Sequence, residues 1–128
     1  MQGEYRGSFG DFLAMKRKEA GLTIKDVARG LHISTAYYSH FESGERKAPE
    51  RIVQDRLAEI LELSPAERLL LYDLAGQTRG IVAADLPAYI NENPYVRVAL
   101  RKARDSKASM EQWLNFIQQM DKAPEASR

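Results

Sequence analysis

The sequence predicts an all-α protein, with a five-helix module followed by a C-terminal helical extension. Three observations support this: apolar residues recur at spacings of three and four, the 8 glycines and 5 prolines stand as isolated interruptions, and no segment alternates apolar and polar residues as a strand would. A chain of 128 residues is long enough for about one domain. With 44% hydrophobic and 29% charged residues, its composition is that of a folded globular protein.

The first three predicted helices are short, and each begins at a residue that can cap a helix N-terminus. Helix 1 covers about Ser8 to Ala20 and is followed by a glycine, the usual residue after a helix end. Helix 2 begins at Thr23, which stands three residues before Asp26 in the spacing of a capping box. Helix 3 begins at Ser34 and stops at Gly44.

Two further helices complete the module. Helix 4 carries an apolar stripe that comprises Ile52, Val53, Leu57, Ile60 and Leu61. Helix 5 begins at residues 64–67, where a capping Ser is followed by Pro at the first helical position and Glu at the third, and it is predicted to end near Gly76. The helical pattern lapses from 77 to 85, so we assign residues 8–76 to the module and residues 85–121 to the extension.

The extension is predicted to be helical as well. One turn can form around residues 86–90, and Asn93-Pro94 begins a helix that runs to about Arg104. Ser109 and Gln112 then form a capping pair for a last helix. The apolar residues of this helix fall at i, i+3, i+4, i+7 and i+10, and they are Met110, Trp113, Leu114, Ile117 and Met120.

Composition also restricts the partners that the chain can bind. Because 19 basic residues nearly balance 18 acidic ones, an anionic partner must be held by a local basic face. The absence of cysteine excludes disulfides and zinc fingers, and with only two histidines we expect no metal site. The N-terminal ten residues lack the apolar core of a signal peptide and no window approaches ~18 apolar residues, so we expect a cytoplasmic chain with no membrane association.

Nothing in the sequence indicates an enzyme. Ser39 and His40 are adjacent on a predicted helix and point ~100° apart, which prevents them from forming a nucleophile–base pair. The glycines form no phosphate-binding loop, and no paired-carboxylate spacing is present. We therefore expect no catalytic activity and no cofactor.

Helices 2 and 3 are two short helices joined by a tight turn, an arrangement in which one helix contacts the DNA backbone while the next enters the major groove. The residues that carry this pattern are Gly21, Leu22, Thr23, Val27, Ala28, Ile33, Ser34, Phe41, Glu42 and Gly44. They resemble the helix-turn-helix of phage lambda-type repressors and their Xre-type bacterial relatives, and the resemblance extends from about Phe9 to Gly76. It implies a lambda-repressor-like, five-helix DNA-binding domain whose partner is double-stranded DNA.

The resemblance assigns roles to residues of helix 3 and its surroundings. By position, the residues that read bases are Thr35, Ala36, Ser39 and His40. Those that bind phosphates are Thr23, Arg29, Tyr37, Arg46 and Lys47. The chemistry is suitable, since a Thr or Ala methyl can contact a thymine methyl and Ser or His can hydrogen-bond to base edges.

Two other positions have structural roles in the resemblance. Arg17 and Glu42 match an ion pair that locks the recognition helix to helix 1. His32 stands at the turn, where the family favours Gly because the backbone often needs a positive φ, which His tolerates better than branched residues do. Glu45 beside Arg46 weakens the attraction for an anion.

Simpler interpretations stay open for several of these residues. Ordinary packing is open for Tyr37 and Tyr38, and a solvated surface position is open for His40, Arg46 and Lys47. In the extension, a basic stripe is either a second contact to the DNA backbone or a solvated helix face, and it comprises Arg97, Arg101 and Arg104. The Trp113 stripe is either a dimer interface or a surface that packs within the chain, on helix 5 and on Val96, Leu100 and Ala103. If a chain that lacks the stripe still dimerises, the expected interface is on helix 5 around Leu70, Leu71 and Leu74.

The function that these patterns favour is a sequence-specific transcriptional regulator, a repressor, that acts as a homodimer. An antitoxin-like or adaptor protein is the alternative, in which the C-terminal helices bind a protein partner and DNA binding serves autoregulation. A domain that keeps the fold without binding DNA is a third interpretation.

Overall fold

The computed structural model describes residue 5 and residues 7–126, with side chains to residue 122. This part of the chain is all-helical, which confirms the predicted fold class. The eight helices are α1 (Phe9–Glu19), α2 (Ile24–Leu31), α3 (Thr35–Ser43), α4 (Arg51–Ile60), α5 (Pro65–Arg79), α6 (Pro87–Glu92), α7 (Pro94–Asp105) and α8 (Met110–Ala126). The chain divides between Ala88 and Tyr89 into two compact units. None of the helices in the described part is both long and apolar enough to cross a membrane.

Local side-chain capping explains where three helices of the first unit begin. Each start is a reciprocal capping box, formed by Ser8 with Asp11 at α1, Thr23 with Asp26 at α2, and Ser64 with Glu67 at α5. At α3 the Ser34 hydroxyl accepts a hydrogen bond from the Tyr37 N–H at 3.0 Å. These bonds satisfy N–H groups that a helix leaves unpaired at its first turn.

The core of the first unit fixes α3 in place. α3 packs against α1 and α2, and α5 packs against α1 and α4. The core contains the buried side chains of Phe9, Phe12, Leu13, Val27, Tyr38, Phe41, Leu57, Leu71 and Leu74. α1 and α3 approach so closely at Gly10 that a Cβ there would overlap the carbonyl oxygen of Glu42. The backbone of α3 is therefore held against α1.

α5 differs from the sequence prediction. It runs to Arg79 and ends at Gly80, which has φ 71°, so the predicted end near Gly76 is wrong. Gly76 is buried inside the helix, where a Cβ would lie 2.7 Å from the Ile81 carbonyl oxygen. This glycine permits a close approach of the chain and does not terminate the helix.

Two of the three leucines of the alternative dimer surface on helix 5 lie in the core. Leu71 is fully buried and Leu74 is 5% exposed, because both lie in the core of the first unit, while Leu70 is half-buried against that core. Core side chains are not available to a second copy of the chain.

The second unit contains the end of α6 together with α7 and α8, and its described residues form no closed core. The Ser109 hydroxyl accepts from the Gln112 N–H at 3.1 Å, and the Ser109 N–H donates to the Gln112 side chain at 2.9 Å, as the sequence predicts for this capping pair. Asn93 stands at the N-cap of α7, but its side chain donates instead to the Tyr89 carbonyl at 2.7 Å. None of the described side chains from 89 to 122 is buried.

Candidate nucleic-acid interface

α3 has a buried face and an outward face. Tyr38 is fully buried and Phe41 is 3% exposed, and these two side chains anchor the helix in the core. The four predicted base-reading residues lie elsewhere on the helix: Thr35 and Ala36 are exposed, and Ser39 and His40 are half-buried. The helical period of 3.6 residues places Ala36, Ser39 and His40 opposite the anchoring side chains. The outward face of α3 thus carries the Ala36 methyl group and the polar side chains of Ser39 and His40.

A hydrogen-bonded ion pair fixes the orientation of α3. Arg17 of α1 donates to both carboxylate oxygens of Glu42, at 2.7 Å and 3.1 Å, and the two side chains are only 11% and 10% exposed. The Tyr38 hydroxyl donates to the same carboxylate at 2.5 Å. Arg17 also donates to the Leu22 carbonyl at 3.0 Å, so one guanidinium connects α1, α3 and the segment before α2.

The electrostatics of this cluster keep its donors protonated. Burial, reinforced by the hydrogen bond to Glu42, raises the pKa of the Tyr38 hydroxyl well above its ordinary value. The same carboxylate, through its hydrogen bond, raises the pKa of Arg17. Tyr38 and Arg17 therefore remain donors to Glu42 across the physiological pH range.

The turn between α2 and α3 has the geometry that the resemblance implies. His32 adopts the left-handed conformation, with φ 59° and ψ 41°, although it is not a glycine. Behind it, the Ile33 N–H donates to the Ala28 carbonyl at 3.0 Å, which closes the C-terminus of α2. Ala28 is buried and Ile33 packs against the core, so the turn is short and anchored.

The loop after α3 presents two exposed cations. Gly44, with φ 87°, ends α3, and the Arg46 N–H folds back to donate to the His40 carbonyl at 3.2 Å. The Arg46 guanidinium lies 4.8 Å from the centre of the Tyr37 ring, a cation–π contact. Lys47 is exposed, and among the described residues its ammonium group forms neither an ion pair nor a hydrogen bond. Both cations line a cavity beside Tyr37 and Phe41 of α3.

Acidic groups stand close to the other predicted phosphate-binding residues. The Thr23 N–H donates to the Asp26 carboxylate at 2.8 Å, and this bond is the main cause of a lowered pKa for Asp26. The Thr23 N–H is thus already occupied, beside an ionised carboxylate. In the loop after α3, a carboxylate oxygen of Glu45 lies 3.3 Å from the His40 Nε2. Arg29, exposed in the last turn of α2, adds a positive charge.

The sequence analysis missed two residues near this surface. Ser43 lies four residues after Ser39 and is exposed, so helical spacing alone would have placed it on the outward face. Arg79 lines a cavity of about 610 Å³ together with Arg46 and Lys47. No local signal pointed to Arg79, because the sequence predicts the end of its helix three residues earlier.

The predicted residues of the extension lie on α7 and α8. The stripe of α8 is open to solvent: Met110 is 78% exposed, and Trp113, Leu114, Ile117 and Met120 are between 39% and 51% exposed. The basic stripe of α7 is divided, because Arg97 donates to the carbonyls of α6 at 2.9 Å and 2.6 Å, and Arg104 lies 2.9 Å from Asp105. Only Arg101 is left without a partner among the described residues of that stripe.

Comparison with known proteins agrees with the arrangement of the first unit. A family model described as a helix-turn-helix domain matches residues 8–71, which extend from the cap of α1 into α5 and make up half of the chain. No curated protein and no solved structure matches the chain. Within the described part, no three His, Asp or Glu side chains are grouped so that they could hold a metal ion.

Proposed function

Because this chain belongs to the helix-turn-helix domain family, we propose that it is a sequence-specific DNA-binding regulator that inserts α3 into the major groove. One observation carries the proposal: the Arg17–Glu42–Tyr38 cluster anchors one side of α3, and its other side presents the Ala36 methyl group and the hydrogen-bonding side chains of Ser39 and His40. A rigidly held helix with such side chains can contact base edges. The flanking cations Arg46 and Lys47 supply the phosphate contacts.

Base reading and phosphate binding are separable by mutation. Selection from random duplex DNA first identifies the preferred site. Thr35→Ala and His40→Ala are then expected to cost ~1–3 kcal/mol on that site and to relax the preference at one base position. Lys47→Ala is expected to weaken binding to every sequence alike and to reduce the salt slope by about one. Equal losses on preferred and random DNA for the two α3 variants would refute the base-reading role.

We further propose that the chain binds DNA as a homodimer through α7 and α8. One short recognition helix covers only a few base pairs, so a genomic site requires two of them. The second unit exposes ten large apolar side chains, namely Tyr89, Tyr95, Val98, Leu100, Met110, Trp113, Leu114, Phe116, Ile117 and Met120. Five of them line a single cavity, namely Tyr89, Leu100, Trp113, Phe116 and Met120, and contiguous exposed apolar patches mark interaction surfaces.

The shape of this surface suits a helix from a second copy. A cavity of about 600 Å³ lies between α7 and α8, and its lining is mostly apolar. Trp113 stands at this cavity with its ring edge-to-face against Phe116, at a centroid distance of 6.1 Å. Large aromatic side chains of this kind are frequent at interface centres.

Sedimentation of the full chain tests the dimer. Trp113→Glu places a charge in the apolar groove and is expected to give monomers at concentrations where the wild type is dimeric. The matched control is Gln118→Glu, which adds the same charge to an exposed polar position of α8 and is expected to leave the dimer intact. Dimers of undiminished stability in Trp113→Glu would exclude this interface.

The exposed groove also supports the alternative of an antitoxin-like or adaptor protein, because it could receive a different protein. A wild type that is monomeric at all concentrations would favour that alternative. We propose repression as the regulatory outcome, since a protein that occupies its operator blocks the polymerase by occupancy alone. Reporter expression that falls when the chain is supplied would support repression, and expression that rises would refute it.

A further inference from the structure

We propose that the last turn of α5 is a clamp, formed by Thr78 and Arg79, that positions the loop of residues 45–50 for contact with DNA phosphates. The inference rests on the proposed DNA-binding function. The Ala48 N–H donates to the Thr78 Oγ1 at 2.8 Å, and the Arg79 guanidinium donates to the Ala48 carbonyl at 3.2 Å. Both polar groups of one loop residue are thus held by side chains about 30 residues away. Thr78 and Arg79 lie outside the segment that the family model matches.

Burial makes these two bonds necessary. Ala48 is only 4% exposed, and a buried N–H or C=O that has no partner is unfavourable. The Thr78 hydroxyl donates its own hydrogen to the Ala75 carbonyl at 3.0 Å, which leaves its lone pairs directed to Ala48. The next carbonyl, that of Pro49, accepts from the buried Gln54 side chain at 2.8 Å. Three consecutive backbone groups of the loop are therefore fixed from α4 and α5.

The other end of the loop is fixed to α3. Gly44 closes the helix, and the Arg46 N–H donates to the His40 carbonyl. Lys47 stands between this anchor and the clamp at Ala48, and its own side chain is exposed. A loop held on both sides of Lys47 presents its cations without a further cost of ordering the backbone when DNA binds. Thr78 and Arg79 act through Arg46 and Lys47 and are positioning residues.

Thr78→Val and Thr78→Ser in the full chain test the clamp. Valine has nearly the same shape as threonine but cannot accept the Ala48 hydrogen bond, whereas serine keeps the hydroxyl. Thr78→Val is expected to bind all duplexes several-fold more weakly, with the base preference unchanged and a salt slope smaller by about one. Thr78→Ser is expected to restore both the affinity and the slope. If Thr78→Val only lowered the stability of the fold, the two variants would show the same salt slope at a temperature where both are folded.

Combining Thr78→Val with the loss of both loop cations shows whether the clamp acts through these cations. In the background of Arg46→Ala with Lys47→Ala, Thr78→Val is expected to have no further effect on affinity, because the clamp acts through these cations. Faster hydrogen exchange of the Ala48 amide in Thr78→Val than in Thr78→Ser reports the released loop directly. Wild-type affinity and slope in Thr78→Val, or equal weakness of the valine and serine variants, would overturn the clamp. A wild type that binds no duplex would instead refute the proposed function.

Discussion

Glu42→Ala is the substitution from which we expect the largest loss of stability. It removes a carboxylate that accepts hydrogen bonds from Arg17 at 2.7 Å and 3.1 Å and from Tyr38 at 2.5 Å. Arg17 would keep only its bond to the Leu22 carbonyl, and the fully buried Tyr38 hydroxyl would lose its acceptor. The substitution thus leaves a charge without its counter-ion and a hydroxyl without its acceptor in a site that water hardly reaches.

The expected magnitude follows from this burial. Removing one partner of a buried ion pair costs about 3–5 kcal/mol, and a buried hydroxyl without a partner costs about 1–3 kcal/mol, although the two contributions overlap. We therefore expect the free energy of unfolding to fall by about 3–5 kcal/mol. For a domain of this size, that corresponds to a decrease in Tm of roughly 15–30 °C.

Chemical denaturation of Glu42→Ala and of a control variant at an exposed ion pair measures this loss of unfolding free energy. The control is Glu59→Ala, which breaks an ion pair with Arg56 of similar length, 3.2 Å, whose side chains are 52% and 61% exposed. Exposed pairs contribute under about 1 kcal/mol. Equal small losses in the two variants would show that the Arg17–Glu42 pair does not hold α3.

Three further features of the fold can be tested by substitution. Gly10→Ala should destabilise the fold by about 1–3 kcal/mol because its Cβ would overlap the α3 backbone. Gly30→Ala should be nearly neutral in urea unfolding, because its Cβ meets the Ile60 side chain and no backbone, and the higher helix propensity of alanine offsets that contact. His32→Gly should raise the urea midpoint by relieving about 1 kcal/mol of left-handed strain, and an unchanged or lower midpoint would contradict this. The hydrogen bond from Lys16 is the main cause of a lowered pKa for Glu67. The ionised Glu67 therefore stabilises the fold above pH 4.5, and this stabilisation is lost as the pH falls through the pKa of the folded state. Glu67→Gln should make Tm depend less on pH in the acid range.

The starts of several helices could be predicted because capping is local. Thr23 with Asp26 and Ser109 with Gln112 lie three residues apart, and each pair forms the bonds that its spacing indicates. The end of α5 could not be predicted in this way. A glycine can end a helix or allow a close approach, and the approach of the Ile81 carbonyl to Gly76 depends on how the chain returns after the helix.

At the candidate interface, too, features set by local spacing could be predicted, and features set by distant contacts could not. Helical spacing places Ser39 and His40 on the outward face of α3 without knowledge of the fold. The contact of Tyr38 with Glu42 follows from i, i+4 spacing, yet the sequence left open whether Tyr38 packs in the core. The clamp at Ala48 joins segments 30 residues apart, and only the packing of α5 brings Thr78 to the loop.

The C-terminal unit shows why periodicity alone cannot distinguish a core from an interface. The Trp113 stripe has the same spacing in either case, and only exposure differs: among the described residues of this unit none is buried. Linking two recognition helices would convert the second DNA contact into an intramolecular one, so affinity for a two-fold site should far exceed that for one half-site. Under this reasoning Trp113→Glu loses affinity for a palindromic duplex but keeps wild-type affinity for a single half-site, because the α3 surface of each copy is unchanged. Titration of both duplexes with Trp113→Glu and Gln118→Glu measures the difference, and a parallel loss on the two duplexes would show that the substitution damages the DNA-binding unit itself.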